Sequence, residues 1–289
     1  SLISAEAQVL LDKGTGKNSF PIVSSSTNAV VCFDGKDATV VRKSASLLVD
    51  DVCRVTGQEL KMDESKPGKV SARYAIIAGT IGESGWIDAL ASGNKIDTTA
   101  IAGGWERYMI ELVNNPVPGI KKAIVVAGSD RRGTAYGLLS ISKAIGVSPW
   151  YWWADVPVMK QPNVYIKPGQ YSDGEPAVTY RGIFLNDEAP CLTQWVKHTY
   201  STNYGDHRFY ARVCELILRL KGNFLWPAMW NWAFYADDPQ NSKTASEMGV
   251  IIGTSHHEPM ARNHQEWSRK RKEYGAWDYT TNQKEIDQF

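Results

Sequence analysis

The sequence predicts a mixed α/β protein, in which a small N-terminal α/β domain precedes the first three or four βα units of a (β/α)8 barrel of the TIM type. Up to about residue 170, strand-like and helix-like hydrophobic patterns alternate. From about Pro176 the order becomes strand, helix, strand, helix. Because a complete barrel takes about 250 residues, we expect the barrel to be incomplete in this chain. We predict the two domains over residues 1–172 and 173–289.

The N-terminal domain is predicted from short apolar runs separated by amphipathic segments. Strand patterns cover residues 29–33, 74–78, 107–113 and 122–127, and helical spacing covers residues 38–56 and 131–145. Asp130 is placed to cap the second helix, and Gly57 and Gly146 follow the helices where a left-handed residue is common. Residues 149–157 are too aromatic for a free linker, so we interpret them as a packed connection. The domain boundary is expected within residues 165–175.

Three apolar runs in the C-terminal part each stop at polar or aromatic side chains. The runs are 182–185, 223–225 and 250–253, and they are followed by Asn186-Asp187-Glu188, Trp226-Pro227-Ala228-Met229-Trp230 and Thr254-Ser255-His256-His257-Glu258. Helical patterns are predicted over 207–220, 242–248 and 258–274. The carboxyl ends of parallel barrel strands are where such a fold builds its active site. Carboxyl, imidazole and indole groups together suit a sugar ligand.

Asn186, Asp187 and Glu188 are the first candidate substrate-binding residues. Because side chains alternate in direction along a strand, Asp187 and Glu188 point to different sides if the strand continues. Two carboxylates after a buried strand are costly unless they are solvated or paired. The alternative interpretation is a helix cap and a loop carboxylate, and for Glu188 the sequence favours that alternative.

His256, His257, Trp226 and Trp230 complete the set of candidates. The histidines do not form the H-E-x-x-H zinc pattern, because position 261 is Ala261. A neutral imidazole that hydrogen-bonds a sugar hydroxyl or carboxylate is the functional interpretation, and a helix cap or core packing is the alternative. Trp226 and Trp230 fit the wall of a sugar subsite. Core packing under a loop is the alternative, and Trp230 is the better candidate for ligand contact.

Composition narrows the function further. The net charge of +1 gives no electrostatic footprint for nucleic acid or anionic lipid, and no apolar run is long enough to cross a membrane. The 11 Trp and 13 Tyr favour a carbohydrate ligand, although Trp also fills large cores. The four cysteines show no C-x-x-C spacing, so a zinc site is not expected, and Cys214 is predicted to be a buried thiol; the four are Cys32, Cys53, Cys191 and Cys214. We also expect no cofactor.

One glycine-rich segment resembles a phosphate loop only in part. Residues 128–133 follow a predicted strand and precede a predicted helix, which is a geometry that binds anions. The segment lacks the G-x-G-x-x-G pattern. We therefore interpret Arg131 and Arg132 as packing or surface charges.

Several segments together resemble the family 115 glycoside hydrolases. They are RGIFLNDEAP (181–190), LRLKGNFLWPAMW (218–230) and GTSHHEPM (253–260), preceded by GSDRRGTAYG (128–137) and PWYWW (149–153). The resemblance covers nearly the whole chain and is strongest from Ala127 to Trp267. It implies a xylan α-1,2-glucuronidase that removes glucuronic acid, or its 4-O-methyl ether, from glucuronoxylan with inversion and without a metal. It also implies a secreted or periplasmic enzyme and a homodimer in the full-length form.

The resemblance also implies roles for individual residues. Asp187 and His256 would lie in the pocket that holds the uronic acid, with Trp230 nearby. The catalytic acid and base would come from later barrel strands, beyond Phe289, so this chain alone is expected to be inactive. Two other interpretations stay open: a non-catalytic carbohydrate-binding module, and another barrel glycosidase such as a β-hexosaminidase relative.

Overall fold

A computed structural model of the chain describes residues 8–14, 19–187, 189–227, 231–253 and 262–289. The chain divides into two compact units. The first contains Ser1–Tyr180, Leu218–Gly222 and Glu247–Gly249, and the second contains Arg181–Ile217, Asn223–Ser246 and Val250–Phe289. The predicted α/β class is confirmed, since both units combine helices with sheets.

The described residues of the first unit form two sheets. Its strands are β1 (Leu11–Asp12), β2 (Phe20–Ser24), β3 (Thr27–Asn28), β4 (Val30–Phe33), β5 (Met62–Asp63), β6 (Ala72–Thr80), β7 (Tyr108–Asn114), β8 (Ile120–Gly128), β9 (Val164–Ile166) and β10 (Gln170–Tyr171), and its helices are α1 (Thr39–Thr56), α2 (Gly85–Ser92) and α3 (Arg131–Ala144). The larger sheet has the order β10-β7-β8-β6-β4-β5, with β5, β4, β6 and β8 parallel. The smaller sheet, β1-β9-β2-β3, is antiparallel.

Strands β6 and β8 form the centre of the first unit. Residues 75–78 and 123–127 are almost wholly shielded from solvent, as continuous apolar strands of a parallel sheet are when both faces are covered. Helix α3 begins as predicted, because the Asp130 carboxylate accepts hydrogen bonds from the amides of Arg132 and Gly133. A side chain at Gly133 would collide with the Arg107 carbonyl oxygen, so glycine permits this close approach.

The second unit is built on a parallel sheet with the order β11-β12-β13. Its elements are β11 (Gly182–Leu185), α4 (Cys191–Tyr200), α5 (His207–Arg219), β12 (Phe224–Pro227), α6 (Phe234–Asp237), α7 (Gln240–Glu247), β13 (Ile251–Ile252), α8 (His264–Arg269), α9 (Arg271–Tyr274) and α10 (Tyr279–Gln288). Strands alternate with helices, as predicted from the sequence. The described residues form an open three-stranded sheet and no closed barrel, so the barrel itself stays a prediction.

The single helix predicted over residues 258–274 is wrong in its described part. Asn263 has an extended backbone and caps α8 through the Gln265 amide, so the helix begins only at His264. A second break at Lys270 separates α8 from α9. The Asn263 side chain also donates a 2.8 Å hydrogen bond to the Trp232 carbonyl oxygen, a tertiary contact that periodicity does not reveal.

The prediction for Cys214 is confirmed, because the thiol is buried. Burial also raises its pKa to about 12.

A buried ion pair stands at the start of α3. The Arg132 guanidinium donates from Nε to the Glu106 carboxylate over 2.5 Å, and both side chains are almost fully shielded from solvent. Arg132 is therefore a packing charge, as one of the two interpretations of residues 128–133 predicts. Removing one partner of such a pair leaves the other charge buried and uncompensated. The resulting loss of folding free energy is larger than the net stabilisation that the intact pair provides.

We predict that Glu106→Gln lowers the free energy of unfolding by about 3–5 kcal/mol, because Arg132 then loses its buried counter-charge. Urea denaturation followed by tryptophan fluorescence measures the loss. Glu59→Gln is the matched control, since Glu59 is exposed and the change is chemically identical. Equal stability of the two variants would contradict the structural role of the pair.

Candidate functional site

The parallel pairing of β11 with β12 brings the first two predicted clusters to one edge of the sheet. Phe184 lies opposite Trp226 and Leu185 lies opposite Pro227, so both strands end at the same level. Asn186 and Asp187, which follow β11, therefore lie at the edge of the sheet where β12 also ends. One hydrogen bond connects the chain after β11 with the chain after β12: the Asn231 amide donates to the Asp187 carboxylate over 3.3 Å.

Asp187 is fully buried at this edge. It lies close to Tyr204 and Tyr210, which share a hydrogen bond. Burial raises the pKa of the Tyr204 phenol, and the negative charge of Asp187 raises it further. The pKa of Tyr210 is raised in the same direction by burial, by Tyr204 and by Asp187. Asp187 therefore holds the Asn231 amide, and its negative charge opposes ionisation of the two neighbouring phenols.

Asn186 has an unused acceptor. Its side-chain oxygen Oδ1 is shielded from solvent and has no hydrogen-bond partner within the described part of the chain. A buried polar atom in that condition costs about 1–3 kcal/mol. The role of Asn186 in binding a sugar stays a prediction.

Trp226 lies within β12. The predicted strand ended at residue 225, whereas β12 continues to Pro227. The indole is 37% exposed and meets Phe184 edge to face, with ring centroids 5.4 Å apart. Phe184 itself is 48% exposed. The two rings form an accessible aromatic surface on one face of the sheet.

Four of the predicted site residues lie outside the described residues: Glu188, Trp230, His256 and His257. Their proposed roles stay predictions. Of the seven candidates, the structure thus describes Asn186, Asp187 and Trp226. The first two lie at the edge of the sheet where β12 ends at Pro227, and Trp226 lies within β12.

Sequence reasoning missed a histidine–carboxylate pair. The Asp238 carboxylate contacts His207 Nδ1 at 2.7 Å and accepts a hydrogen bond from the His207 amide at 3.0 Å. Burial acts to raise the pKa of Asp238, but the hydrogen bonds from His207 and Gln240 outweigh it and the pKa is lowered. The pair fixes the orientation of the imidazole at the first residue of α5. The two residues are 31 positions apart, so no local spacing signal marks them.

Two classes of feature are absent from the described residues. They contain no group of three or more His, Cys, Asp or Glu side chains arranged to hold a metal ion. Within the same residues, no helix combines the length and the apolar character needed to cross a membrane.

Comparison with known proteins identifies the family. Residues 173–289 match the profile of glycosyl hydrolase family 115. The chain therefore belongs to glycosyl hydrolase family 115, through residues 173–289. Among solved structures, the chain is similar to a family 115 4-O-methyl-α-glucuronidase described as having specificity for decorated arabinogalactans. The two are 34% identical, with a TM-score of 0.76, over 93% of this chain and 34% of that enzyme. The chain thus spans about a third of the length of the family 115 enzyme.

Other likenesses are weaker. A Streptomyces plicatus β-hexosaminidase is 11% identical, with a TM-score of 0.49, over 86% of this chain and 44% of that protein. A Vibrio harveyi β-N-acetylglucosaminidase is 12% identical, with a TM-score of 0.45, over 88% of this chain and 37% of that protein. Neither likeness is strong enough to support an argument about this chain. No curated protein is similar enough to count as a match.

We predict that Asp187→Asn lowers the pKa of Tyr204 and Tyr210, because the substitution removes the negative charge that opposes their ionisation. Burial still holds both values above that of a free phenol. The near-ultraviolet absorbance of tyrosinate, followed against pH, measures the change. Asp287→Asn removes an exposed carboxylate and is the control. Identical alkaline titration of both variants would show that Asp187 does not lie against the tyrosines.

Proposed function

We propose that the protein carrying this chain is an α-glucuronidase, which removes (4-O-methyl-)α-D-glucuronic acid side groups from xylan. The observation that carries the proposal is the 34% identity to a family 115 4-O-methyl-α-glucuronidase over 93% of the chain. The match of residues 173–289 to the family supports it independently. In a family 115 enzyme, this region is the one in which we predict the sugar-binding residues.

The described residues supply groups that suit a sugar acid. Asn186 Oδ1 is an unused acceptor for a sugar hydroxyl, and the exposed face of Trp226 suits the C–H face of a pyranose ring. Asp187 is fully buried and accepts a hydrogen bond from the Asn231 amide, so we propose that it shapes the pocket by holding that amide in place. The remaining predicted holders of the uronic acid are Glu188, Trp230, His256 and His257.

The reaction we propose is hydrolysis with inversion. A general acid donates a proton to the glycosidic oxygen, which leaves on the xylan chain. A general base takes a proton from water, and the water oxygen bonds to C1 from the opposite face of the ring. The product is the β-anomer of the free uronic acid. Such an acid and base lie about 6.5–9.5 Å apart.

We propose that the acid and base are residues that this chain does not contain, because it spans about a third of the family 115 enzyme it resembles. The chain would then bind the substrate without hydrolysing it, as part of a (β/α)8 barrel that further strands complete. A secreted or periplasmic location and a homodimer belong to the same proposal.

A second substrate is favoured by one observation. The similar family 115 enzyme is described as having specificity for decorated arabinogalactans. The side group is recognised in the pocket, so the choice of backbone depends on residues around it. Xylan stays our first proposal, and arabinogalactan is the substrate to test beside it.

The test uses the full-length protein that contains this chain. It is incubated with glucuronoxylan and, separately, with an arabinogalactan that carries glucuronic acid side groups. We expect release of the uronic acid, with the β-anomer appearing first in proton NMR before mutarotation. Binding of xylan that ignores the uronic acid would instead support a carbohydrate-binding module. Release of N-acetylhexosamine from a β-linked substrate would support a β-hexosaminidase relative.

We predict that Asn186→Ala raises KM of that enzyme about fivefold to tenfold, because one hydrogen bond to the sugar contributes about 1 kcal/mol. Steady-state kinetics on an aldouronic oligosaccharide measures KM and kcat separately. Asn114→Ala is the control, since Asn114 is an exposed asparagine of the first unit. An unchanged KM in Asn186→Ala would remove Asn186 from the binding site while leaving the proposed activity intact.

A further inference from the structure

A cleft of about 530 Å³ opens in the first unit, at the carboxyl end of its larger sheet. It is lined by three loops, each of which follows one of the parallel strands β4, β6 and β8, and by Trp105 on the segment that precedes β7. The side chains that matter for its chemistry are Lys36, Asp37, Glu83, Trp105, Asp130 and Arg131. A volume of this size suits a small-molecule ligand.

The cleft lies where the direction of the chain through the sheet reverses. After β4 the chain passes to β5, on one side of the sheet. After β6 it passes to β7 and β8, on the other side. The loops that leave β4 and β6 therefore diverge and leave a crevice between them. In open α/β sheets, ligands bind in the crevice at such a switch point.

Most acidic groups in the cleft are already occupied by the backbone. Asp37 accepts hydrogen bonds from the amides of Ala38 and Thr80, at 2.7 and 2.8 Å. Asp130 accepts from the amides of Glu106, Arg132 and Gly133. Both carboxylates thus use their oxygens to accept hydrogen bonds from amides around the loops, but they keep their negative charge.

The remaining polar side chains of the lining are mainly hydrogen-bond donors. Lys36 and Arg131 are exposed, and their side chains have no hydrogen-bond or ion-pair partner in the part of the chain that the structure describes. The Trp105 indole nitrogen Nε1 is shielded from solvent and likewise has no partner among those residues. Indole nitrogen only donates, so it needs an acceptor. Glu83 is the one exposed carboxylate in the lining.

The indole is held in place by a second contact. The Arg132 guanidinium carbon lies 5.0 Å from the centre of the Trp105 ring, and Arg132 is itself fixed by its ion pair with Glu106. A donor that is fixed, shielded and unused is part of a preformed site. The amino end of α1, which has no side-chain cap, also borders the cleft and favours negative charge there.

We infer that this cleft binds a small anionic ligand, whose carboxylate or phosphate oxygens accept hydrogen bonds from Lys36, Arg131 and the Trp105 indole. The site belongs wholly to the first unit and does not depend on the proposed glucuronidase activity. The three carboxylates of the lining weaken anion binding by repulsion. The two cationic side chains therefore set the affinity, and the carboxylates limit it.

The test is a titration of the purified chain followed by NMR of the indole N–H signals. Inorganic phosphate and D-glucuronate are added separately, with sodium chloride at matched ionic strength as the reference. The Trp105 signal is assigned by its loss in Trp105→Phe. We expect a saturable shift of that signal with at least one anion, and the anion that produces it shows which oxygen chemistry the site prefers.

Charge variants give the direction. We expect Arg131→Gln and Lys36→Gln each to weaken binding about tenfold, the size of effect that one charge-assisted hydrogen bond produces. Glu83→Gln is expected to strengthen binding severalfold. Lys121→Gln, near the start of β8 and outside the cleft, is the control and leaves affinity unchanged. A Trp105 shift that is linear in anion concentration, or equal affinity in Arg131→Gln and the unsubstituted chain, would overturn the inference.

Discussion

The parallel register between β11 and β12 is the constraint on which the candidate site depends. It sets Phe184 opposite Trp226 and makes both strands end together. The exposed aromatic pair, the unused acceptor of Asn186 and the buried contact between Asp187 and the Asn231 amide all follow from this alignment. Gly182 permits it, because any side chain at that position would collide with the Phe224 carbonyl oxygen. A shift of one residue would turn the aromatic face over.

Local signals in the sequence predicted the elements whose causes are local. The apolar runs of β6 and β8, the cap at Asp130 and the helical spacing of α5 need only neighbouring residues, and each appears in the structure. The predicted helix over 258–274 fails at Asn263, because a tertiary hydrogen bond to Trp232 competes there with helical backbone. The His207–Asp238 pair also arises from tertiary contact, so periodicity does not reveal it.

The type of a polar residue did not predict whether its side chain is free to bind a ligand. Arg131 and Arg132 are adjacent in the sequence, yet Arg132 forms an ion pair with a buried carboxylate while Arg131 lines a cleft. Asp187 and Asn186 are also adjacent, and only the amide retains an unused atom in the described structure. Which polar groups still need a partner is decided by the fold, and it separates a binding group from a structural one. The family assignment adds what kind of ligand such groups would meet.

The most direct test of the proposed sugar site is a crystal structure of the full-length protein with bound 4-O-methyl-glucuronic acid. We expect the sugar to lie at the carboxyl ends of β11 and β12. A hydroxyl would donate to Asn186 Oδ1, and the ring would contact an indole of the segment that begins at Trp226. Uronic acid bound elsewhere, with Asn186 Oδ1 satisfied by the protein and Trp226 covered by other side chains, would contradict it.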